Sequence, residues 1–256
     1  MSFTIENIEF FLLILVRISG FVFSAPFFSL PNVPRRVQIG LSFFIAVVIY
    51  GSLDKYTLEY SGVIGYAGLV IVEFAIGIII GFFMSCCIMI LSFAGQIIDM
   101  EVGFSMANVM NPAMNMNTTV TGNLYTYFIM LILLATDLYR YILRAMLDAF
   151  TFIPVGKAVF DIRIYTVMAT LMKDYFIIGF RIVLPVFAAM LIVNVVLGVL
   201  AKVAPQMNMF VIGMQLKIFV GLIILALAAR YIPTVADMIY EEMKMLVNDA
   251  VKYMAP

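Results

Sequence analysis

The stretch from Val63 to Ile98, VIGYAGLVIVEFAIGIIIGFFMSCCIMILSFAGQII, carries a single charge, Glu73, followed by 25 uncharged residues. About 20 apolar residues are enough for a helix to cross a bilayer. At a rise of about 1.5 Å per residue this run reaches about 54 Å as one helix, longer than a hydrocarbon core is thick. It must therefore bend, break or project, and Gly77, Gly81 and Gly95 offer the places. The fold that follows is all-α: a helical membrane-complex protein of long bent or broken helices and helical hairpins.

Composition agrees. Hydrophobic residues make up 65% of the 256 and charged residues 12%, and the mean hydropathy is +1.13. Such a balance belongs to a membrane or membrane-complex protein. Fifteen basic and fifteen acidic residues cancel to a net charge of zero, so nothing argues for nucleic acid as a partner. The opening MSFTIENIEF has acids and no basic residue before Arg17. That is unlike the basic start of a cleaved signal peptide, and the first apolar run is expected to stay in the mature chain.

What is missing removes whole chemistries. There is no His, hence no His-based triad, imidazole metal ligand or His general base. Cys86 and Cys87 are neighbours in an apolar run, with no other Cys or His to complete a zinc or iron–sulfur site. They read as small core residues, and no cofactor or metal is expected. Gly103-Phe-Ser105 superficially suggests a nucleophile turn, but no plausible base lies nearby.

Outward from the long run, further apolar segments cover Ile8 to Phe28 (with Arg17 inside), Val37 to Leu53 and Val120 to Thr136. Tyr175 to Ala201 holds Arg181 and Pro185, and Met209 to Ile232 holds Lys217. Five or six of these segments have the length to span. Two other stretches are amphipathic. Asp137, Arg140, Arg144 and Asp148 recur at helical spacing. Asp237, Glu241, Lys244, Asn248 and Lys252 form a second stripe, opposite Ile239, Met243, Leu246 and Ala250. Each polar stripe is either a solvated face or a face that lies at an interface or docks on a partner.

A simple serial bundle fits badly. Arg35-Arg36 places the first connection inside by the positive-inside rule. Counting on, the loop after Ile98 is inside with Asp99 and Glu101 and no basic residue, while region 137–174, with five Lys or Arg, falls outside. Some runs are therefore re-entrant or buried against other subunits. Arg17, Glu73, Arg181 and Lys217 would each be costly facing lipid. They read as structural partners between helices or subunits, or, alternatively, as a relay in a transporter.

Two connections stand out. Met100 to Asn117, MEVGFSMANVMNPAMNMN, carries five methionines and no basic residue, with turn-forming Asn and Pro. Unbranched, adaptable Met suits a surface that seals and re-seals, although an inter-helix loop using Met as filler explains it equally well. Lys202-Val-Ala-Pro-Gln-Met-Asn208 joins two long apolar arms, and Pro205 and Asn208 supply the turn of an antiparallel hairpin.

Three stretches resemble the export-gate family of flagellar and virulence-type type III secretion. They are Arg17-Ile-Ser-Gly20 leading to Ala25-Pro26 and Val33-Pro34-Arg35-Arg36-Val37; Gly95-Gln96-Ile-Ile-Asp99 through Val102-Gly103-Phe-Ser105 to Asn111-Pro112; and Ala204-Pro205-Gln206-Met207-Asn208 with Phe210, Ile212-Gly213, Lys217 and Gly221. The resemblance covers essentially the whole chain, with the three stretches in the family's order. Asn111 stands where the family pattern has Asp before the central Pro.

The resemblance implies a single copy assembled with several copies of FliP and FliQ into a screw-like helical gate, with FlhB at its cytoplasmic mouth and FlhA nearby. Residues 1–174 would be the FliP-like part, including the Met-rich loop at about 100–118, and 175–256 the FliQ-like hairpin with its amphipathic C-terminal helix. The loop would help to seal the closed pore, a role carried over to Phe104, Met106, Met110, Pro112, Met114 and Met116. Pro205, Gln206, Met207 and Asn208 would form the turn at the cytoplasmic mouth, and Arg17, Glu73, Arg181 and Lys217 would serve assembly as buried charges. The setting would be the flagellar basal body in the bacterial inner membrane, against membrane lipid, with unfolded flagellar proteins as cargo and no enzymatic activity. The alternatives are an injectisome counterpart of the same gate and a small-solute secondary transporter using Glu73 and Arg181. An intramembrane protease using Ser105 is a distant third.

Overall fold

The computed structural model describes residues 5–30, 33–54, 56–58, 60–106, 119–204, 206 and 209–256, which contain helices and no strand. The helices are α1 (Ile5–Ser24), α2 (Arg35–Ser52), α3 (Gly62–Val102), α4 (Val120–Ala135), α5 (Tyr139–Phe152), α6 (Ile164–Val203), α7 (Met209–Ala228) and α8 (Ile232–Met254). A 3₁₀ turn, Ala229–Tyr231, separates the last two. Four helical segments are long and apolar enough to cross a membrane, or five if α4 and α5 count as one broken span. The sequence alone suggested five or six. The difference lies at two of the apolar runs: α2 has only 18 residues and includes Arg35 and Arg36, and α4, with 16 residues, counts only together with α5 across a bend of 75°.

The chain forms two compact units, each built from separated segments. The first contains Met1–Cys87, Asp137–Met172 and Glu241–Pro256. Here α1 buries Phe10, Leu13, Ile14, Arg17, Ile18, Phe21 and Val22, one face of a 3.6-residue repeat. Phe11 packs edge-on against Phe43 and Tyr50 of α2, with ring centroids 5.9 and 5.6 Å apart. Pro34, extended at φ −60° and ψ 137°, precedes α2, and its carbonyl accepts from the Val37 and Gln38 amides. Against α3 the contact is backbone on backbone. A Cβ at Gly77 would strike the Arg17 carbonyl, one at Gly81 the Ser24 hydroxyl, and one at Gly20 the Phe74 carbonyl. Small residues at a helix crossing let the axes approach closely, the packing mode favoured where lipid replaces water. The long apolar run does not break. It remains one helix of 41 residues, and Gly77 and Gly81 are contact points, not breaks.

The amphipathic stretches fold as their periodicity requires. In α5, Ile142, Ala145, Met146, Ala149 and Phe150 are buried while Arg140, Arg144 and Asp148 are exposed. Asp137 precedes it at φ +58°, a left-handed conformation that Asp tolerates better than most residues. In α8, Ile239, Met243, Leu246 and Ala250 are buried within the chain itself, so this tail docks on its own fold, with Glu241, Lys244, Asn248 and Lys252 outward. Its end is held by main-chain bonds from Val159 N to the Met254 carbonyl and from Asp161 N to the Tyr253 carbonyl, at 3.2 and 3.0 Å.

The second unit contains Ile88–Thr136 and Lys173–Tyr240, and the C-terminal part of α3 is its axis. Three helices meet that axis at a glycine each. Gly122 of α4 lies against Gly95, Gly179 of α6 against the Phe93 ring, and Gly221 of α7 against Val102. Phe93 also packs among Tyr175, Phe176 and Phe180, with centroids 5.4 to 5.9 Å apart. Pro185 lies inside α6, which runs on to Val203.

Candidate functional site

A buried charged cluster organises the first unit. Arg17 and Glu73 are both without solvent exposure, and the Arg17 Nε donates to Glu73 Oε2 at 2.5 Å. The other Glu73 oxygen accepts from the Gly156 amide at 2.7 Å. Gly156 adopts φ +76°, a conformation that favours glycine. Arg17 Nη1 donates to the carbonyl of Ile153 at 2.8 Å, and the guanidinium lies 4.4 Å from the centroid of the Phe150 ring. A cation thus meets the free carbonyls at the C-terminal end of α5, where the helix dipole and unsatisfied acceptors favour it. Tyr56 closes the cluster by donating to the Val155 carbonyl at 2.7 Å. Burial, with the Glu73 charge adding to it and the Arg17 charge opposing it, pushes the Tyr56 hydroxyl pKa up to about 12. The hydroxyl therefore remains a neutral donor. The arrangement binds α1, α3 and the end of α5 into one body. Both Glu73 oxygens are engaged, as a structural pair requires.

In the second unit, Asp99 is the most heavily engaged side chain at the flanks of the Met-rich stretch. Its carboxylate, 6% exposed, accepts from Thr119 Oγ1 at 2.7 Å, Val120 N at 2.7 Å, Thr121 N at 3.1 Å and Thr121 Oγ1 at 2.5 Å. These donors include amides at the start of α4, which have no partner within the helix, and a carboxylate is the natural acceptor there. Thr119 completes the cap by accepting from the Gly122 amide at 2.9 Å. The Asp99 main-chain carbonyl meanwhile ends α3. It accepts from Gly103 N at 3.0 Å, Ser105 N at 3.3 Å and Ser105 Oγ at 3.0 Å, with Gly103 at φ +99°. The Ser105 hydroxyl is thus a turn donor.

The residues expected from sequence are distributed as follows. Arg17 and Glu73 are brought together. Arg181, in the second unit, is exposed, its Nη1 3.9 Å from the Met238 sulfur, and Lys217 is half-buried. Phe104 is half-buried and Met106 is exposed at the end of the described part of the Met-rich stretch. Met110, Pro112, Met114 and Met116 lie outside the described residues, as do Pro205, Met207 and Asn208; Gln206 is exposed in a turn. Cys86 and Cys87 are buried and unpaired. Among the described residues no group of three His, Cys, Asp or Glu could hold a metal ion. Asp99 is the residue whose structural role sequence reasoning missed, using it as a charge in a topology count and as the end of the Gly95–Asp99 stretch. A signal existed in the Thr119-Val-Thr121 sequence just before an apolar run, a helix N-terminus in want of an acceptor.

Comparison with known proteins adds a lineage to this geometry. Residues 8–243 match the family described as Bacterial export proteins, family 1. A flagellar biosynthetic protein FliR of Bacillus subtilis (strain 168) is 32% identical over 229 residues, covering 88% of each chain. The FliR of Escherichia coli (strain K12) is 27% identical over 237 residues, covering 93% of this chain and 90% of its own. The FliR of Aquifex aeolicus (strain VF5) is 25% identical over 212 residues, covering 83% and 82%. The match spans both compact units and includes Arg17, Glu73 and Asp99: this chain belongs to the bacterial export proteins, family 1.

Proposed function

We propose that this chain is a non-enzymatic core subunit of the flagellar type III export gate in the bacterial inner membrane. A single copy joins several FliP- and FliQ-like subunits into the channel through which unfolded flagellar proteins leave, with FlhB and FlhA as further partners. Family membership and the names of the relatives support the flagellar setting. The observation that carries the reading is the bareness of the C-terminal helices. The most apolar window of Ile164–Val203 is only 22% buried within the chain, and that of Ile212–Met254 only 11%, against 56% for α3. Such surfaces need other subunits or lipid to cover them.

In this reading residues 1–174 form the FliP-like part and 175–256 the FliQ-like part. The 204–208 turn faces FlhB, and the methionines of 106–116 help to seal the pore. A soft, unbranched apolar side chain conforms to any sequence passing it and closes again afterwards. Deleting residues 106–117 is expected to leave assembly with the partner subunits intact and to make cells or proteoliposomes leak ions. Normal assembly with unchanged conductance would contradict the sealing role.

A further inference from the structure

We propose that Asp99 is the positioning residue that holds the turn at Gly103–Ser105 to the start of α4 at Thr119–Thr121, on either side of residues 107–118. Two independent sets of bonds, from different parts of the same residue, carry the inference. The carbonyl of Asp99 fixes the chain entering the stretch through Gly103 and Ser105. Its carboxylate fixes the chain leaving it through Thr119, Val120 and Thr121. Gly103 and Ser105 on one side and Thr119, Val120 and Thr121 on the other thereby meet at one residue. Beside that point Gly95 and Gly122 touch backbone to backbone, leaving α3 and α4 no room for a side chain at the crossing.

The requirement is for a carboxylate in particular. All four groups around it are donors, so an amide at this position would set its NH₂ against N–H and O–H groups that also need acceptors. A charged acceptor strengthens each of these bonds, and burial raises the cost of leaving them unmade. The described residues alone set out this joint, and its functional meaning rests on the reading above, in which the stretch between the two ends acts in the pore.

The test uses the full chain in lipid nanodiscs, with Cys86→Ala and Cys87→Ala as background and spin labels at Met106→Cys and Val120→Cys, both exposed positions. With Asp99 intact, the distance distribution between the labels is narrow. With Asp99→Asn or Asp99→Ala it is expected to double in width or more while helical content by circular dichroism is retained. A narrow distribution in either folded variant would overturn the proposal. Should both variants lose helicity, Thr119→Val with Thr121→Val removes two of the donors and leaves the carboxylate in place. Clear broadening in that variant supports the joint, and an unchanged distribution overturns it. The gate reading is judged separately, by ion conductance of the assembled complex. Broadening without any leak would keep the joint and count against the sealing role.

Discussion

Arg17 and Glu73 show how an ionisable residue is tolerated in an apolar fold. Each is buried: both Glu73 oxygens accept hydrogen bonds, and the Arg17 Nε and Nη1 donate to Glu73 and to the backbone of 149–153, while the Arg17 Nη2 has no partner among the described residues. Removing one partner strands the other. Glu73→Ala should destabilise the purified chain by about 3–5 kcal/mol, the usual cost of an uncompensated buried charge. Arg17→Met with Glu73→Leu should recover most of that loss. Thermal unfolding in detergent checks both, and a double variant whose loss equals the sum of the two corresponding single losses would show that the pair is not coupled. That these charges needed partners was legible in the sequence, because lipid-facing placement is costly. Which partner each takes was not, since Arg17 and Glu73 are 56 residues apart and the Gly156 amide that completes the pair has no side chain to read. The structural role of Asp99 was hidden for a similar reason: the donors that define it lie 20 to 22 residues away, across the Met-rich stretch.

Helix α3 holds a comparable lesson about elements. Its glycines look like breaks when only chain length is considered, yet the helix continues through Gly77, Gly81 and Gly95 and uses them to receive α1 and α4. Glycine in an apolar helix has two readings, weak propensity and close approach, and only the neighbouring element decides between them. Gly77→Leu forces the Arg17 backbone away. It should cost about 1–3 kcal/mol, as overpacking does, measured by the same unfolding assay. Gly68→Leu, at a position with open space, should be close to neutral. Equal effects at the two positions would contradict the close-approach reading. The amphipathic helices were the most legible elements, because the 3.6-residue repeat of charges in α5 and α8 directly reports which face is buried. What periodicity left open was the cover for the apolar face of α8, which is the chain's own fold.

The molecule as a whole is poorer in internal cover than its hydropathy demands. The charge pattern along the chain already disagreed with serial membrane crossing, and the bare faces of α6 and of Ile212–Met254 agree with that conflict. Long apolar helices with little burial need lipid or other subunits to cover them, and family membership points to the export apparatus as the source of such subunits. The composition of such an assembly is not written in one chain, because its contacts form only when the partners are present. Native mass spectrometry of this chain, co-expressed with the FliP- and FliQ-like subunits of the same genome, tests the central claim most directly. The account predicts a stable complex containing one copy of this chain with several copies of each partner. A monodisperse monomer or homodimer that ignores those subunits would contradict it.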